Sequence, residues 1–196
     1  MTAEALAVRI TECRLCAERF ALTATHHAPR PVPWFRGTAR LLISGQAPGM
    51  RVHLSGMPFD DASGVRLRGW LGLTAAQFYD RDRVALVGMG FCFPGYDAKG
   101  ADLAPPRICA QTWRGQVLAV LPDLQVKVLV GSGAIDWHLG KGRVEDRVRR
   151  WREVVGEGFW PLPHPSWRNT GWLKRNAWFE AELVPELRVA VARVLG

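Results

Sequence analysis

The chain has 196 residues, of which 48% are apolar, and it carries a formal net charge of +8 with a pI near 10.0. Its length and apolar content suffice for one compact core, and no composition shift divides it, so we predict a single domain over residues 1–196. The basic charge indicates a polyanionic partner such as nucleic acid, although a coding bias toward arginine would give the same excess.

No targeting or membrane segment is predicted. The residues Met1–Ile10 include Glu4 and lack a basic region followed by a long apolar core. No run approaches the ~18 consecutive apolar residues of a membrane span. We therefore expect a soluble, cytoplasmic protein.

The N-terminal segment is predicted to be one helix followed by an extended arm. Thr2–Ile10 has helical character and leads into a C-x-x-C pair at Cys13 and Cys16. Three prolines within Pro29–Arg36 predict an extended surface connection, after which the first strand begins near Arg40.

The stretch Gly45–Gly64 is the most informative part of the chain. It follows the apolar run Leu41–Ile43, and its glycines and prolines predict a long loop after a strand, with Ser63 capping the next helix. The loop combines glycine backbone N–H groups with one aromatic ring and two adjacent carboxylates, from Phe59, Asp60 and Asp61. These groups suit a pocket for a flat polar ligand, while an ordinary strand-to-helix connection explains the pattern equally well.

The remaining pattern alternates strands and helices, which predicts parallel strands. Further strands are predicted at Arg83–Val87, Val126–Val130 and Phe159–Leu162. Helices are predicted after Ser63, after Thr74, from Pro105–Pro106, after Ser132, and from about Asn176 to Leu195 with a kink at Pro185. Arg143–Arg152 carries five arginines, for which a solvated helix face is the favoured interpretation and a phosphate contact the alternative.

The chain has four cysteines, at Cys13, Cys16, Cys92 and Cys109. Because disulfides are rare in the cytoplasm, four thiolates converging on a metal are the natural chemistry. Four cysteines suit either tetrahedral zinc or an iron–sulfur cluster, and their spacing does not choose between the two. The remaining alternative is that they are unrelated buried thiols.

Five short motifs, in order, resemble the uracil-DNA glycosylase superfamily, and particularly its iron–sulfur families 4 and 5. Gly45–Gly49 reads GQAPG and is similar to the GEAPG of family 4, and Gly56–Phe59 is similar to the GxPF that follows it. Asp61–Gly64 resembles the DASG of family 5. His164–Ser166 and the following Arg168–Gly171 resemble the second superfamily motif and its DNA-entering loop, and the four cysteines match the cluster ligands in order.

The resemblance implies an α/β fold with a four-stranded parallel sheet flanked by helices and an N-terminal arm tied by the four-cysteine cluster. It implies hydrolysis of the N-glycosidic bond of a damaged base in DNA by base flipping, which leaves an abasic site. The implied cofactor is a 4Fe-4S cluster, with zinc as the alternative, and the implied partner is DNA containing uracil or other deaminated bases. We expect a monomer.

The resemblance also assigns roles to residues. Asp61 stands where family 5 has its catalytic aspartate, and His164 is expected to donate a hydrogen bond to the base oxygen. The substrate pocket is expected to comprise Gly45, Gln46, Ala47, Pro48, Gly49, Phe59 and Ser63, with Phe59 stacking on the base. Contacts to the DNA backbone are expected from Pro165, Ser166, Trp167, Arg168 and Asn169.

Three departures from the family pattern bear on activity and specificity. Ala47 replaces the acid of other families, which moves the catalytic carboxylate to Asp61, and Gln46 replaces a Glu. Val87–Phe91 lacks the Asn with which family 4 reads uracil, so we predict broad specificity that extends to hypoxanthine or xanthine. Asp97–Asp102 lacks the His of a covalently trapping branch, which disfavours that chemistry.

Two other functions remain open at this point. One is a DNA-binding paralogue without turnover, which Gln46 and Ala47 would favour. The other is a zinc protein with no link to repair, which would hold its metal through the four cysteines.

Overall fold

A computed structural model describes residues 1–196 and contains one four-stranded sheet. The strands are β1 Leu41–Ser44, β2 Val84–Leu86, β3 Val126–Val130 and β4 Phe159–Leu162. They lie in the order β2-β1-β3-β4, and every neighbouring pair is parallel. The predicted four-stranded parallel sheet flanked by helices is confirmed.

Ten α-helices connect and cover the strands. They are α1 Ala3–Thr11, α2 Ala17–Ala21, α3 Met50–Ser55, α4 Ala62–Leu71, α5 Ala75–Phe78, α6 Arg107–Ala119, α7 Ser132–Leu139, α8 Val144–Arg149, α9 Thr170–Arg175 and α10 Val184–Leu195. None of these helices combines the length and hydropathy that a membrane span requires.

The two faces of the sheet carry separate cores because successive strand residues point to opposite sides. Leu41 and Ile43 belong to the larger core, which α4, α7 and α10 cover. Leu42 belongs to the smaller core, which includes residues of α1 and α6. Burial on both faces explains why the strands are almost entirely apolar in sequence.

Three predicted local features differ from the structure. The stretch predicted as a continuous loop contains α3, which ends at Gly56 in the left-handed conformation (φ 73°). Asp61, rather than Ser63, caps α4, and Ser132 is the first residue of α7 rather than its capping residue. The last two differences concern helix ends, where several nearby polar side chains compete for the same backbone N–H groups.

The predicted last helix is present and ends at Leu195, but its first part is a π-helical turn at Phe179–Leu183 that leads directly into α10. Asn176, near which it was predicted to begin, is the capping residue at the end of α9. Pro185 lies in the first turn of α10. Because proline has no backbone N–H, the wider turn before it accommodates the missing hydrogen bond.

One buried cation lies where β1 and β2 end. Arg114 of α6 is 1% exposed, and its guanidinium donates to Ser44 Oγ at 2.8 Å and to the Val87 carbonyl at 3.2 Å. It also lies 2.7 Å from His138 Nε2, which must accept this bond because a guanidinium only donates. Arg114 thus joins α6 and α7 to Ser44 and Val87, the residues that precede Gly45 and Gly88.

The folded state is expected to lose stability in mild acid through His138. Burial, followed by the charges of Arg114 and Lys127, lowers the pKa of His138 to about 4, whereas an unfolded His titrates near ~6.5. Between these values only the unfolded chain takes up the proton, so stability falls as pH falls from ~6.5 toward 4. When the pH is lowered from 7 to 4.5, the free energy of unfolding should fall in both proteins, and by up to about 2 kcal/mol less in His138→Gln than in the unmodified protein. Urea denaturation at the two pH values measures this difference. Equal losses in the two proteins would contradict this assignment.

Candidate active site

A pocket lies beyond the carboxyl ends of the strands and gathers all the predicted catalytic and substrate-binding residues. These are Gly45, Gln46, Ala47, Pro48, Gly49, Phe59, Asp61, Ser63 and His164. Six further residues line it that were not predicted, namely Val32, Val52, Pro58, Leu86, Gly88 and Gly90. The carboxyl edge of a parallel sheet is where open α/β folds bind ligands.

Phe59 forms one wall of the pocket, and its ring lies against Gly45. A Cβ atom added at Gly45 would lie 3.0 Å from Phe59 Cζ, so a larger residue there would push the ring aside. The ring packs edge-on against Phe78 with centroids 6.0 Å apart, and the Tyr79 hydroxyl donates to the Phe59 carbonyl at 3.3 Å. Phe59 has φ 54°, which is uncommon for a residue with a side chain. The surroundings therefore hold the ring in place at the wall of the pocket.

The first turn of α4 packs directly against the main chain of Phe59. A Cβ atom added at Gly64 would lie 1.8 Å from the Phe59 carbonyl oxygen, which is impossible without moving one of the two segments. Only glycine allows this close approach. The glycine of the DASG segment therefore has a packing role beside the pocket.

Gly64→Ala is expected to destabilise the protein by about 2–3 kcal/mol and to weaken ligand binding, because it displaces Phe59. Gly69→Ala is the matched control in the same helix, since its added Cβ meets no atom within 4 Å. That change should stabilise the protein by about 0.5–1 kcal/mol. Urea denaturation of both variants measures these effects, and similar changes in both would contradict the packing role.

The two adjacent carboxylates have different surroundings. Asp61 lines the pocket, and its Oδ1 accepts a hydrogen bond from the Gly64 N–H at 2.8 Å as the N-cap of α4. Asp60 is not among the pocket residues, and its carboxylate lies 3.6 Å from the Arg51 guanidinium. Helix capping orients the Asp61 side chain, and Oδ2 is free of that bond. Of the pair, only Asp61 is placed to act on a bound ligand.

His164 follows β4 and lines the same pocket as Asp61. Its Nδ1 accepts a hydrogen bond from the Ser166 N–H at 3.2 Å, so the neutral ring carries its proton on Nε2. Burial lowers the pKa of His164, while the charges of Asp61 and Asp102 oppose that shift. The imidazole is therefore neutral near pH 7 and has one N–H available to donate to a ligand.

Glycine main chain from the segment after β2 completes the pocket. The Gly90 N–H donates to the Gln46 carbonyl at 2.9 Å, and the Met89 N–H donates to the Gly45 carbonyl at 2.9 Å. A Cβ atom at Gly88 would lie 2.5 Å from the Gly90 carbonyl oxygen. The Gly88-x-Gly90 spacing is the sequence signal from which this wall of the pocket could have been predicted.

The segment after His164 is held by hydrogen bonds to the rest of the protein, while two of its side chains face solvent. Pro165 is buried, and Asn169 Nδ2 donates to the His164 carbonyl at 2.7 Å. Arg66 of α4 donates to the Ser166 carbonyl at 3.0 Å. The side chains that face solvent belong to Trp167, which is 77% exposed, and to Arg168.

The four cysteines line a single small apolar cavity, although they come from three separate parts of the chain. Most other lining residues are apolar, and none of the cysteines forms a disulfide. Burial raises the pKa of Cys92 to about 12 and that of Cys109 to about 11 in the metal-free thiols. The sulfurs do not form a group of three or more side chains already spaced to hold a metal ion. The fold thus brings the predicted ligands together around one space without closing them onto a single ion.

An open parallel sheet with a pocket beyond its carboxyl ends is the arrangement in which α/β proteins bind ligands at the sheet edge. The family model of the uracil DNA glycosylase superfamily matches residues 32–188, and the chain belongs to this superfamily. All the pocket residues lie within the match. Cys13 and Cys16 lie before it, so the match includes only two of the four cysteines.

Proposed function

We propose that the protein is a monofunctional DNA glycosylase that excises uracil, and also deaminated purines, from DNA by base flipping. The observation that carries this proposal is the convergence of Asp61, His164 and Phe59 on one pocket. Superfamily membership supports activity on DNA, and the net charge of +8 suits a polyanionic substrate. We expect the protein to act as a monomer in the cytoplasm.

The chemistry follows from the charges that develop as the glycosidic bond breaks. The electron pair of the C1′–N bond leaves with the base, so negative charge grows on the base and positive charge on the sugar. The His164 Nε2–H donates to the base oxygen and stabilises the first charge, while the Asp61 carboxylate stabilises the second. Asp61 also positions the water whose oxygen bonds to C1′; this water releases one proton to the solvent, and the departing base anion takes one proton up, so the step is a net hydrolysis.

The pocket walls support broad base specificity. Gly88 and Gly90 present main chain where a side-chain amide would read the edge of uracil. Phe59 stacks on any planar base because stacking does not depend on the pattern of hydrogen-bonding groups. Uracil, hypoxanthine and xanthine each offer a carbonyl oxygen to His164, and we propose all three as substrates.

The deciding experiment uses oligonucleotides that carry a single uracil, hypoxanthine or xanthine, followed by alkaline cleavage of the abasic sites. The expected result is strand cleavage with at least one of these bases and none with the undamaged sequence. If the protein binds these oligonucleotides and no strand is cleaved, it is not a glycosylase for these bases.

A DNA-binding paralogue without turnover is the second candidate function. The observation that favours it is that Ala47 supplies no acid, while Asp61 is exposed and already engaged as a helix cap. Binding without cleavage in the same assay would support this candidate.

We propose that the four cysteines hold a 4Fe-4S cluster, as in the iron–sulfur families 4 and 5 that the motifs resemble. The donor set fits, because four cysteine thiols line one apolar cavity and four thiolates are the usual ligands of such a cluster. Such a cluster would tie the arm of Cys13 and Cys16 to the segment of Cys92 and Cys109. Its contribution is structural, since the hydrolysis needs no electron transfer.

Protein purified without oxygen is expected to be brown and to contain about four iron atoms per chain. Replacing Cys92 by Ser should lower both the iron content and the unfolding temperature. A colourless protein with one zinc ion per chain would establish the zinc alternative instead, and a protein with neither metal would show four unligated thiols.

A further inference from the structure

We propose that a groove beside the pocket binds the nucleobase next to the excised one and stacks it on Trp137. The inference rests on the proposed function, because it places the strand that carries the damaged base. It adds a binding site for a second nucleotide and predicts which form of DNA the protein prefers.

The groove lies between the beginning of α6 and helix α7. Its lining residues are Gln46, Met89, Ala104, Pro105, Pro106, Arg107, Ala110, Gln111, Ser132, Gly133, Asp136, Trp137 and Lys141. Gln46 also lines the candidate active-site pocket, so the two spaces open side by side. In the proposed arrangement, a strand whose damaged base enters the pocket lays an adjacent nucleotide along this groove.

Trp137 is the feature that suits a base. Its side chain is 45% exposed, and it belongs to neither hydrophobic core, whereas Ala134 and Ile135 in the same helix are fully buried. Almost half of the surface of this large residue therefore stays open to solvent. An exposed aromatic ring beside a basic groove is the usual platform on which a single-stranded base stacks.

The charges in the groove favour a base over a phosphate next to the ring. Asp136, which precedes Trp137, has an Oδ1 atom that is buried and without a hydrogen-bond partner, and its carboxylate repels phosphate. Arg107 and Lys141 are exposed and attract phosphates at the surface. The neutral base thus fits beside Trp137, with its phosphates directed outward to the two cations.

Binding two adjacent bases separately has a consequence for the substrate. The second base can reach Trp137 only if it leaves its own stack, which costs less in a single strand than in a duplex. Trp137 should therefore contribute more to excision from single-stranded DNA than from double-stranded DNA.

The test measures binding and excision with single-stranded oligonucleotides in which the 5′ or the 3′ neighbour of uracil is intact or replaced by a base-free tetrahydrofuran residue. The variants are Trp137→Ala and Trp137→Phe. Ile108→Ala is the matched control, because Ile108 is 46% exposed on α6 and does not line the groove. Dissociation constants come from fluorescence anisotropy, and excision rates come from the cleavage assay.

With intact neighbours, Trp137→Ala is expected to bind about tenfold more weakly, as for the loss of one stacked base. The loss should disappear when the stacked neighbour is base-free, and Trp137→Phe and Ile108→Ala should bind nearly normally. Normal binding by Trp137→Ala, or a loss that persists with both base-free substrates, would overturn the proposal. A protein that binds but excises nothing would refute only the glycosylase function, since the binding measurements still test the groove.

Discussion

Replacing Asp61 by Asn is expected to lower the rate of base excision about 10²–10⁴-fold while leaving the fold intact. The structure gives Asp61 two tasks, the capping of α4 and the presentation of a carboxylate to the pocket. Asparagine caps helices as well as aspartate does, and its side-chain oxygen can accept the same bond from the Gly64 N–H. The variant therefore removes only the negative charge that would stabilise the sugar cation. Single-turnover excision from a uracil-containing oligonucleotide measures the loss.

Two companion variants separate the charge of Asp61 from its structural role. Asp60→Asn removes the neighbouring carboxylate, which interacts with Arg51 outside the pocket, and should excise at the normal rate. Asp61→Ala removes both the charge and the cap, so it should also lose about 1 kcal/mol of stability. Full activity in Asp61→Asn, or an equal loss in Asp60→Asn, would show that the catalytic acid lies elsewhere.

Replacing His164 by Ala is expected to lower excision about 10²–10³-fold, the usual cost of removing one donor from a developing anion. Substrate binding should change little, because the charge on the base oxygen develops only as the bond breaks. The loss should therefore appear in the single-turnover rate and not in the dissociation constant. A variant that binds poorly but excises normally once saturated would assign His164 to binding alone.

The pH dependence of excision offers an independent check on His164. Burial lowers its pKa, so the ring stays neutral as pH falls below the ordinary value of ~6.5. Protonation at lower pH would place a hydrogen on Nδ1, which could then no longer accept the hydrogen bond from the Ser166 N–H. The excision rate should therefore be unchanged at pH ~6.5 and fall only at lower pH. The excision rate of His164→Ala should not show that fall.

The parallel sheet could be predicted from sequence because its strands are short apolar runs that end at glycine or proline. The predicted bounds of Val126–Val130 and Phe159–Leu162 match β3 and β4. The strands are buried on both faces, so their composition does not depend on details of the neighbouring helices. The helix ends were less predictable, since both Asp61 and Ser63 are residues that cap helices.

The pocket was predicted only in part, for a physical reason. Motif residues could be named from their side chains, but Gly88 and Gly90 contribute main chain, and Val32 and Val52 contribute shape. Such contacts depend on how loops approach one another. The helix α3 was missed because it is a six-residue helix between glycines, too short to show a clear periodicity.

The sequence by itself determined the class of fold and the chemical types of the pocket residues. Those properties depend on local composition and on short motifs. The motifs had already favoured Asp61 over Asp60, but only the tertiary structure showed Asp61 and His164 lining one pocket, with an exposed Trp137 in the groove beside it. These relations join residues far apart in the chain, and the parallel strand order sets them by bringing the carboxyl ends of separate strands to one edge.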